Sequence, residues 1–509
     1  MIHKQNVRAF CLFGAAILVS PAWATDLQDL HLDVIPRTDE ERARIQSIIA
    51  PTEDFTQAEQ FEANAAGAAT VRPTTNSNAF SQPSGNISFE RELDFKVGNG
   101  LFKKLWVSSP SSTLASDGLG PLYNARSCQR CHLKDGRGHP PENPQDTATS
   151  MLVRISVPAD ASAIAEIEDY ISSAPDPVYG GQIQDFGIAG HPAEAQINIR
   201  YTEMPIELSE GETASLRQPV LQLTDLGYGP LHPEIMTSAR VAPQMIGLGL
   251  LDAISAAEIL ARADPQDADG DGISGRANIV WSTVYDQPML GRFGVKAGMP
   301  SVWEQSAGAF HGDIGISSTL HPTGYGDCSQ KQSKCRTAPD GNTPAHNDAE
   351  ISDVGLELVS FYSSNLAVPA RRDVDDPQVL QGKQVFYETG CISCHTPKHV
   401  THRLDGQPEQ SFQLIWPYTD MLLHDMGPGL ADNRPEARAT GQEWRTPPLW
   451  GIGMTQQVSG HTYFLHDGRA RNLLEAILWH GGEAEAAKSR VVEMPKADRD
   501  ALIRFLESL

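Results

Sequence analysis

A mainly α chain in two halves, the first enlarged by a partly β insertion, is what three features of this sequence predict. The pentapeptide C-x-x-C-H occurs twice, as Cys128-Gln129-Arg130-Cys131-His132 and as Cys391-Ile392-Ser393-Cys394-His395. Helical periodicity brackets the second copy. Leu380, Val385 and Phe386 share a face before it, and Leu502, Ile503, Leu506 and Leu509 share one at the chain's end. Between 151 and 228, short apolar runs alternate with turn residues, as strands do.

In a C-x-x-C-H segment the two thiols add across the vinyl groups of a haem, and the adjoining histidine binds the iron from one face. Zinc sites usually bring their two C-x-x-C halves close together in sequence, and a redox dithiol needs no histidine at the next position. Here the histidine follows both times and the copies lie far apart. The reading is two covalently bound c-type haems, one on Cys128, Cys131 and His132, the other on Cys391, Cys394 and His395. Each belongs to a cytochrome c-like domain.

A chain of 509 residues is too long for one compact core. The expected organisation is a signal peptide (1–24), an N-terminal extension (25–88), an N-terminal haem domain with the insertion (89–345), a connecting segment (346–368) and a C-terminal cytochrome c domain (369–509). The formal charge is −24 without any basic stretch, which argues against nucleic acid as a partner. It suits solubility, or attraction for a cationic electron donor. Lys4 and Arg8 precede an apolar run over 9–19, and Ala22 and Ala24 stand where a signal peptidase reads small residues. That run is too short to span a bilayer and no later one approaches the length, so a periplasmic protein without a stable membrane span is expected.

Of the seven cysteines, Cys11 leaves with the signal and four carry haem, which leaves Cys328 and Cys335. In an oxidising compartment they pair, closing a short loop worth about 2–3 kcal/mol. A reactive dithiol is the alternative.

Along the chain, 38–49 reads as a helix with Ile45, Ile48 and Ile49 on one face, and 70–88 as a polar linker. A short helix is expected over 95–106, and strands over 151–157 and 196–201. Arg240-Val241-Ala242-Pro243 leading to Gly247 and Gly249 matches Arg445-Thr446-Pro447-Pro448 leading to Gly451 and Gly453, a partial internal repeat. Asp267, Asp269 and Asp271, followed by Gly272, offer carboxylates on alternate residues of a tight loop, a pattern that suits calcium. The twelfth position of such a loop holds Asn278 in place of glutamate, and a solvated acidic turn is the alternative.

These residues resemble the di-haem oxidoreductase family, peroxidase-like bacterial proteins often labelled thiol oxidoreductases. The resemblance covers most of the chain after the signal. It includes 117–122, 264–276, Gly291-Arg292-Phe293-Gly294, Pro369-Ala370-Arg371-Arg372, Glu443-Trp444-Arg445-Thr446 and His466-Asp467-Gly468-Arg469. More distantly the chain is similar to bacterial di-haem cytochrome c peroxidases and to the di-haem enzyme that matures the quinone cofactor of methylamine dehydrogenase. In those relatives the sixth ligand of the C-terminal haem lies fourteen positions after the histidine of His-Asp-Gly, which here is His480. Leu473, Ile477 and His480 share one helical face that Gly481-Gly482 would end. A histidine capping the helix is the alternative, and Met426 the runner-up ligand. A His395/His480 pair would close the second haem and make it an electron store.

Chemistry then belongs to the first haem, where peroxide would meet a distal acid–base group. By the resemblance, Asp313 is the candidate for that group and His311 the second. One departure stands out: Val295 occupies a place where the family has tryptophan, leaving Trp281, Trp303 or direct transfer between the haems to carry electrons. The implied function is reduction of hydrogen peroxide or another small oxidant, with electrons from a small redox protein. The rivals are an oxidase acting on a protein or thiol, a pure electron carrier, and a scaffold built on the insertion.

Overall fold

The computed structural model describes residues 27–143, 146, 150–159, 164 and 166–509; the signal peptide expected over 1–24 lies outside the described residues. The expectation of a mainly α chain of cytochrome c-like domains does not hold. Helix makes up 30% of the described residues and strand 19%, the strands spread over many small sheets. Two physical causes act together. The 43 glycines and 35 prolines cut helices short. Many strands are two- or three-residue ladders between distant segments, such as Val34–Ile35 with Arg403–Leu404, and no local periodicity announces them.

The helices form where side chains cap them and an apolar face finds a partner. Thr38 caps the Asp39–Ile49 helix, and Glu41 returns the bond to the Thr38 N–H in a full capping box. The Phe89–Lys103 helix starts six residues before the segment read as helical, because the Ser88 hydroxyl accepts the Arg91 N–H there. It packs on the Asp353–Ser364 helix through Gly98, where a Cβ would stand 2.1 Å from the Leu358 carbonyl oxygen. The Pro377–Glu388 and Lys496–Ser508 helices meet in the same way, Gly382 leaving room for the Ala501 carbonyl. Phe386, Tyr418 and Phe505 pack ring on ring around that crossing.

In the insertion, Met151–Pro158 is the central strand of a sheet, with Met236–Val241 on one side and Gln182–Ile183 on the other. Gln196–Glu207 and Thr213–Thr224 pair along their whole length as a long hairpin. Its Arg217 donates to the Gly468 and Arg469 carbonyls, and its turn is held where Arg499 donates to Ser209 Oγ. The internal repeat has a structural counterpart. Gly247 and Gly451 both take the left-handed conformation, at φ 72° and 74°, and each starts a short helix, Leu248–Asp252 and Ile452–Met454. The two turns pack on each other. A Cβ on Gly247 would lie 2.2 Å from Trp450 Cζ2, and one on Gly451 2.6 Å from Ile246 Cδ1. Leu250, Ile254, Trp450 and Met454 build a buried apolar cluster around this joint. Among the described residues no helix is long and apolar enough to cross a membrane.

Candidate functional site

One cavity of about 840 Å³ is lined by both C-x-x-C-H segments. At its first end, residues 128–131 make a single helical turn, and the His132 N–H donates to the Cys128 carbonyl at 3.0 Å. His132 Nδ1 lies 2.8 Å from the Pro243 carbonyl oxygen. A carbonyl can only accept, so Nδ1 carries the proton and Nε2 keeps its lone pair. Burial pulls the His132 pKa down, which also favours the neutral ring. Behind the turn, buried Asp135 accepts bonds from the Tyr362 hydroxyl at 2.7 Å and from Ser81.

At the second end, Gly390 turns the chain at φ 86° out of the Pro377–Glu388 helix into residues 391–393. His395 Nδ1 lies 2.9 Å from the Tyr418 carbonyl oxygen, so this ring too keeps Nε2 free. Tyr418 itself has φ 53°, a strained conformation for an aromatic residue, and it aims that carbonyl. Burial first, and then the nearby His480, push the His395 pKa down to about 4. His480 also lines the cavity, and its Nδ1 bonds to the Ala476 carbonyl at 2.8 Å. It stands two residues beyond the Leu473–Leu478 helix, not on its face, held by its N–H on the Ile477 carbonyl. Three histidines therefore present a neutral Nε2 in the same tautomer.

None of the four motif cysteines is in a disulfide. Burial pushes Cys128 up to about 12 and Cys391 up to about 11, and raises Cys131 and Cys394 as well. A redox dithiol needs a lowered pKa, so these environments speak against thiol–disulfide exchange at either motif. The cavity wall also carries cations. Among the described residues the guanidinium groups of Arg137 and Arg445 donate only to carbonyls and, for Arg445, to the Met421 sulfur, and burial brings both down to about 10. Arg240 and Arg434 share Glu436 at 2.7 and 3.0 Å. Buried cations without carboxylates suit a ligand that brings its own negative charge, as haem does with its propionates. Histidine tautomers, cavity and arginines all fit two haems.

Asp313 lies in the irregular turn Phe310–Ile314 that ends the Val302–Ala309 helix, and it lines the cavity. Its carbonyl accepts the N–H groups of Asn124 at 2.9 Å and Ala125 at 3.0 Å, three residues before Cys128. It is close enough to the first motif to raise the pKa values of Cys128, Cys131 and His132. His311 is not among the cavity-lining residues. Its ring stacks on His321 at 4.8 Å, and burial pushes its pKa down to about 4.

In the Asp-rich loop, ligand atoms of Asp264, Asp267 and Asp269 lie within 4.8 Å of one another. Asp271 is not part of that group; its Oδ1 accepts the Ile273 N–H and the residue lines the cavity. Cys328 and Cys335 are joined as a disulfide. Neither Trp281 nor Trp303 lines the cavity, whereas Val295, Met426 and Trp444 do.

Several contacts here are not announced by the sequence. Trp444 stacks on His466 with ring centroids 3.6 Å apart, and Lys296 Nζ lies 4.3 Å over its ring. His424 bridges Asp420 at 2.8 Å and Glu483 at 2.6 Å, 3.4 Å from Cys394 Sγ. Burial alone would lower its pKa, but the two carboxylates win and hold it well above the usual value, as an imidazolium. In the sequence His424 is a lone histidine and gives no such signal. Gln182 and Asn124, which contact Asp313, carry no sequence signature at all.

No curated protein matches the chain significantly. A family model described as "Di-haem oxidoreductase, putative peroxidase" matches residues 60–509, which contain both motifs, the cavity and Asp313. The chain belongs to this di-haem oxidoreductase family.

Proposed function

We propose that the protein is a periplasmic peroxidase that reduces hydrogen peroxide at the His132 end of the cavity, using electrons from a small redox protein. A c-type haem held by Cys128, Cys131 and His132 would supply the metal at which peroxide is reduced, and one held by Cys391, Cys394, His395 and His480 would supply an electron store. The observation that carries the reading is the placement of Asp313: a carboxylate on the cavity wall, clamped by its backbone to the segment leading into Cys128.

In the reaction the O–O bond breaks, an external reductant supplies two electrons, solvent supplies two protons, and two waters leave. Asp313 would take a proton from one peroxide oxygen and return it to the other, so that the latter departs as water and not as hydroxide. His132 and His395 are held as ligands by the Pro243 and Tyr418 carbonyls. Arg137 and Arg445 would neutralise the propionates. A cation such as calcium at Asp264, Asp267 and Asp269 would stiffen the loop whose Ser274 bonds to Glu483 at 2.6 Å. Residues 1–24 would direct export.

The test is Asp313→Asn in the haem-loaded protein. Peroxide consumption should fall by roughly 10²–10⁴-fold, the usual contribution of a general acid–base group. The absorption spectrum should stay unchanged. An undiminished rate would remove the acid–base role, and wild-type protein inert to peroxide would leave an electron carrier.

A further inference from the structure

One strand of the segment between 151 and 228 reaches Asp313 directly. Gln182–Ile183 pairs with the central Met151–Pro158 strand, and Asp327 Oδ2 accepts the Gly181 and Gln182 N–H groups at 2.6 and 3.1 Å. The strand is thus fixed from both sides. Gln182 is 1% exposed. Its Nε2 donates to Asp313 Oδ1 at 2.9 Å and to Asn124 Oδ1, with the Gly312 carbonyl oxygen at 3.3 Å. Three acceptors surround that nitrogen, so the amide has one sensible orientation: turned over, its oxygen would face three oxygens. Asn124 is fixed in turn, its Nδ2 donating at 2.8 Å to both the Ile183 carbonyl and Asp185 Oδ1. Gln184 Nε2 holds the Gly312 carbonyl at 2.8 Å.

We infer that Gln182 is a positioning residue for Asp313, and that the insertion delivers it to the first centre; this rests on the acid–base role proposed for Asp313. The amide ties down Oδ1, while Oδ2 has no hydrogen-bond partner among the described residues and is the oxygen that meets peroxide. Without the amide the carboxylate can rotate, and a misplacement of about 1 Å is enough to cost on the order of 10²-fold in rate.

The experiment is a double-mutant cycle in the haem-loaded full-length protein, following hydrogen peroxide turnover with a small-molecule reductant. Gln182→Leu should lower kcat by roughly 10- to 100-fold with little change in KM, leaving the spectrum and Tm near wild type. In the Asp313→Asn background it should have no further effect, because its target is gone. Gln182→Met keeps the length and removes the donor, so it should lose as much kcat even if the leucine variant fails to fold. Wild-type kcat in both Gln182 variants overturns the inference while leaving Asp313 its role. So does a loss that multiplies fully with that of Asp313→Asn. Full activity in Asp313→Asn overturns both readings together.

Discussion

Replacing Glu62 by alanine should destabilise the protein and disturb the second centre at once. Glu62 is 1% exposed and lies between Arg371 and Lys383, themselves 7% and 0% exposed. It accepts a bond from Arg371 Nη1, and Lys383 Nζ donates to it at 2.8 Å. Removing one partner from a buried ion pair costs about 3–5 kcal/mol, because the other charge stays in the interior. Lys383 keeps a second carboxylate, Glu59 at 2.9 Å, so a value of about 4 kcal/mol is expected from Arg371 together with a weakened Lys383. With a urea m-value above about 3 kcal/mol/M for a chain of this size, the midpoint should fall by roughly 1 M. The same arginine lies 3.3 Å from the Tyr418 hydroxyl, and the Tyr418 carbonyl orients His395. The haem absorption band of the second centre should therefore shift in the variant. The pH dependence has a definite sign. Burial would raise the Glu62 pKa, but Arg371 and Lys383 hold it below the ordinary value. Its contribution is thus present above pH about 4.5 and lost as the pH falls through the lowered pKa, so the variant's acid limb should be flatter. Adding Lys383→Met should restore part of the loss. A midpoint within about 0.2 M of wild type, the scale of a surface substitution, would refute this account of the cluster.

Two further outcomes follow from carboxylates elsewhere. Burial pushes Glu194 up to about 8, although it accepts bonds from the Gln184 N–H at 2.7 Å and from Gln332. The folded state then holds this proton more tightly than the unfolded chain between pH about 4.5 and 8, so stability declines as pH rises through that window. Glu194→Gln should flatten the decline, at about 1.4 kcal/mol for each tenfold difference in proton affinity; Tm curves that run parallel from pH 5 to 9 would contradict this. Calcium added to chelator-treated protein should raise Tm, by an amount equivalent to about 2.7 kcal/mol at a hundredfold excess over Kd, and Asp267→Asn should abolish the effect. No shift in the wild-type protein would mean a solvated acidic turn.

What the sequence disclosed about the fold was confined to what is local. The Pro377–Glu388 and Lys496–Ser508 helices announced themselves because each buries one periodic face. The strand at Met151–Pro158 did so because its side chains alternate. The fold class was misjudged from those same signals. Periodicity cannot register two-residue ladders such as Leu122–Tyr123 with Phe186–Gly187, which join the insertion to the approach of the first motif. Nor did it register that the Phe89–Lys103 helix leaves Phe89 and Leu93 exposed, and so began the helix too late.

The candidate site divides along a similar line. Cysteines and their adjoining histidines are legible because one covalent chemistry needs them at one spacing. Whether those histidines can serve is decided by the carbonyls of Pro243 and Tyr418, and a carbonyl is common to every residue. The same holds for Asp313 against His311. Two positions apart on one irregular turn, they differ in placement: Asp313 lines the cavity, and His311 stacks on His321. A residue's type nominates it for chemistry, but its neighbours' backbone and amides set the ring tautomer and the carboxylate's direction. The groups that would set the proposed roles at this site, Gln182 and Asn124 among them, are therefore the ones that composition and spacing pass over, and an unremarkable glutamine becomes the sharpest place to test the proposal.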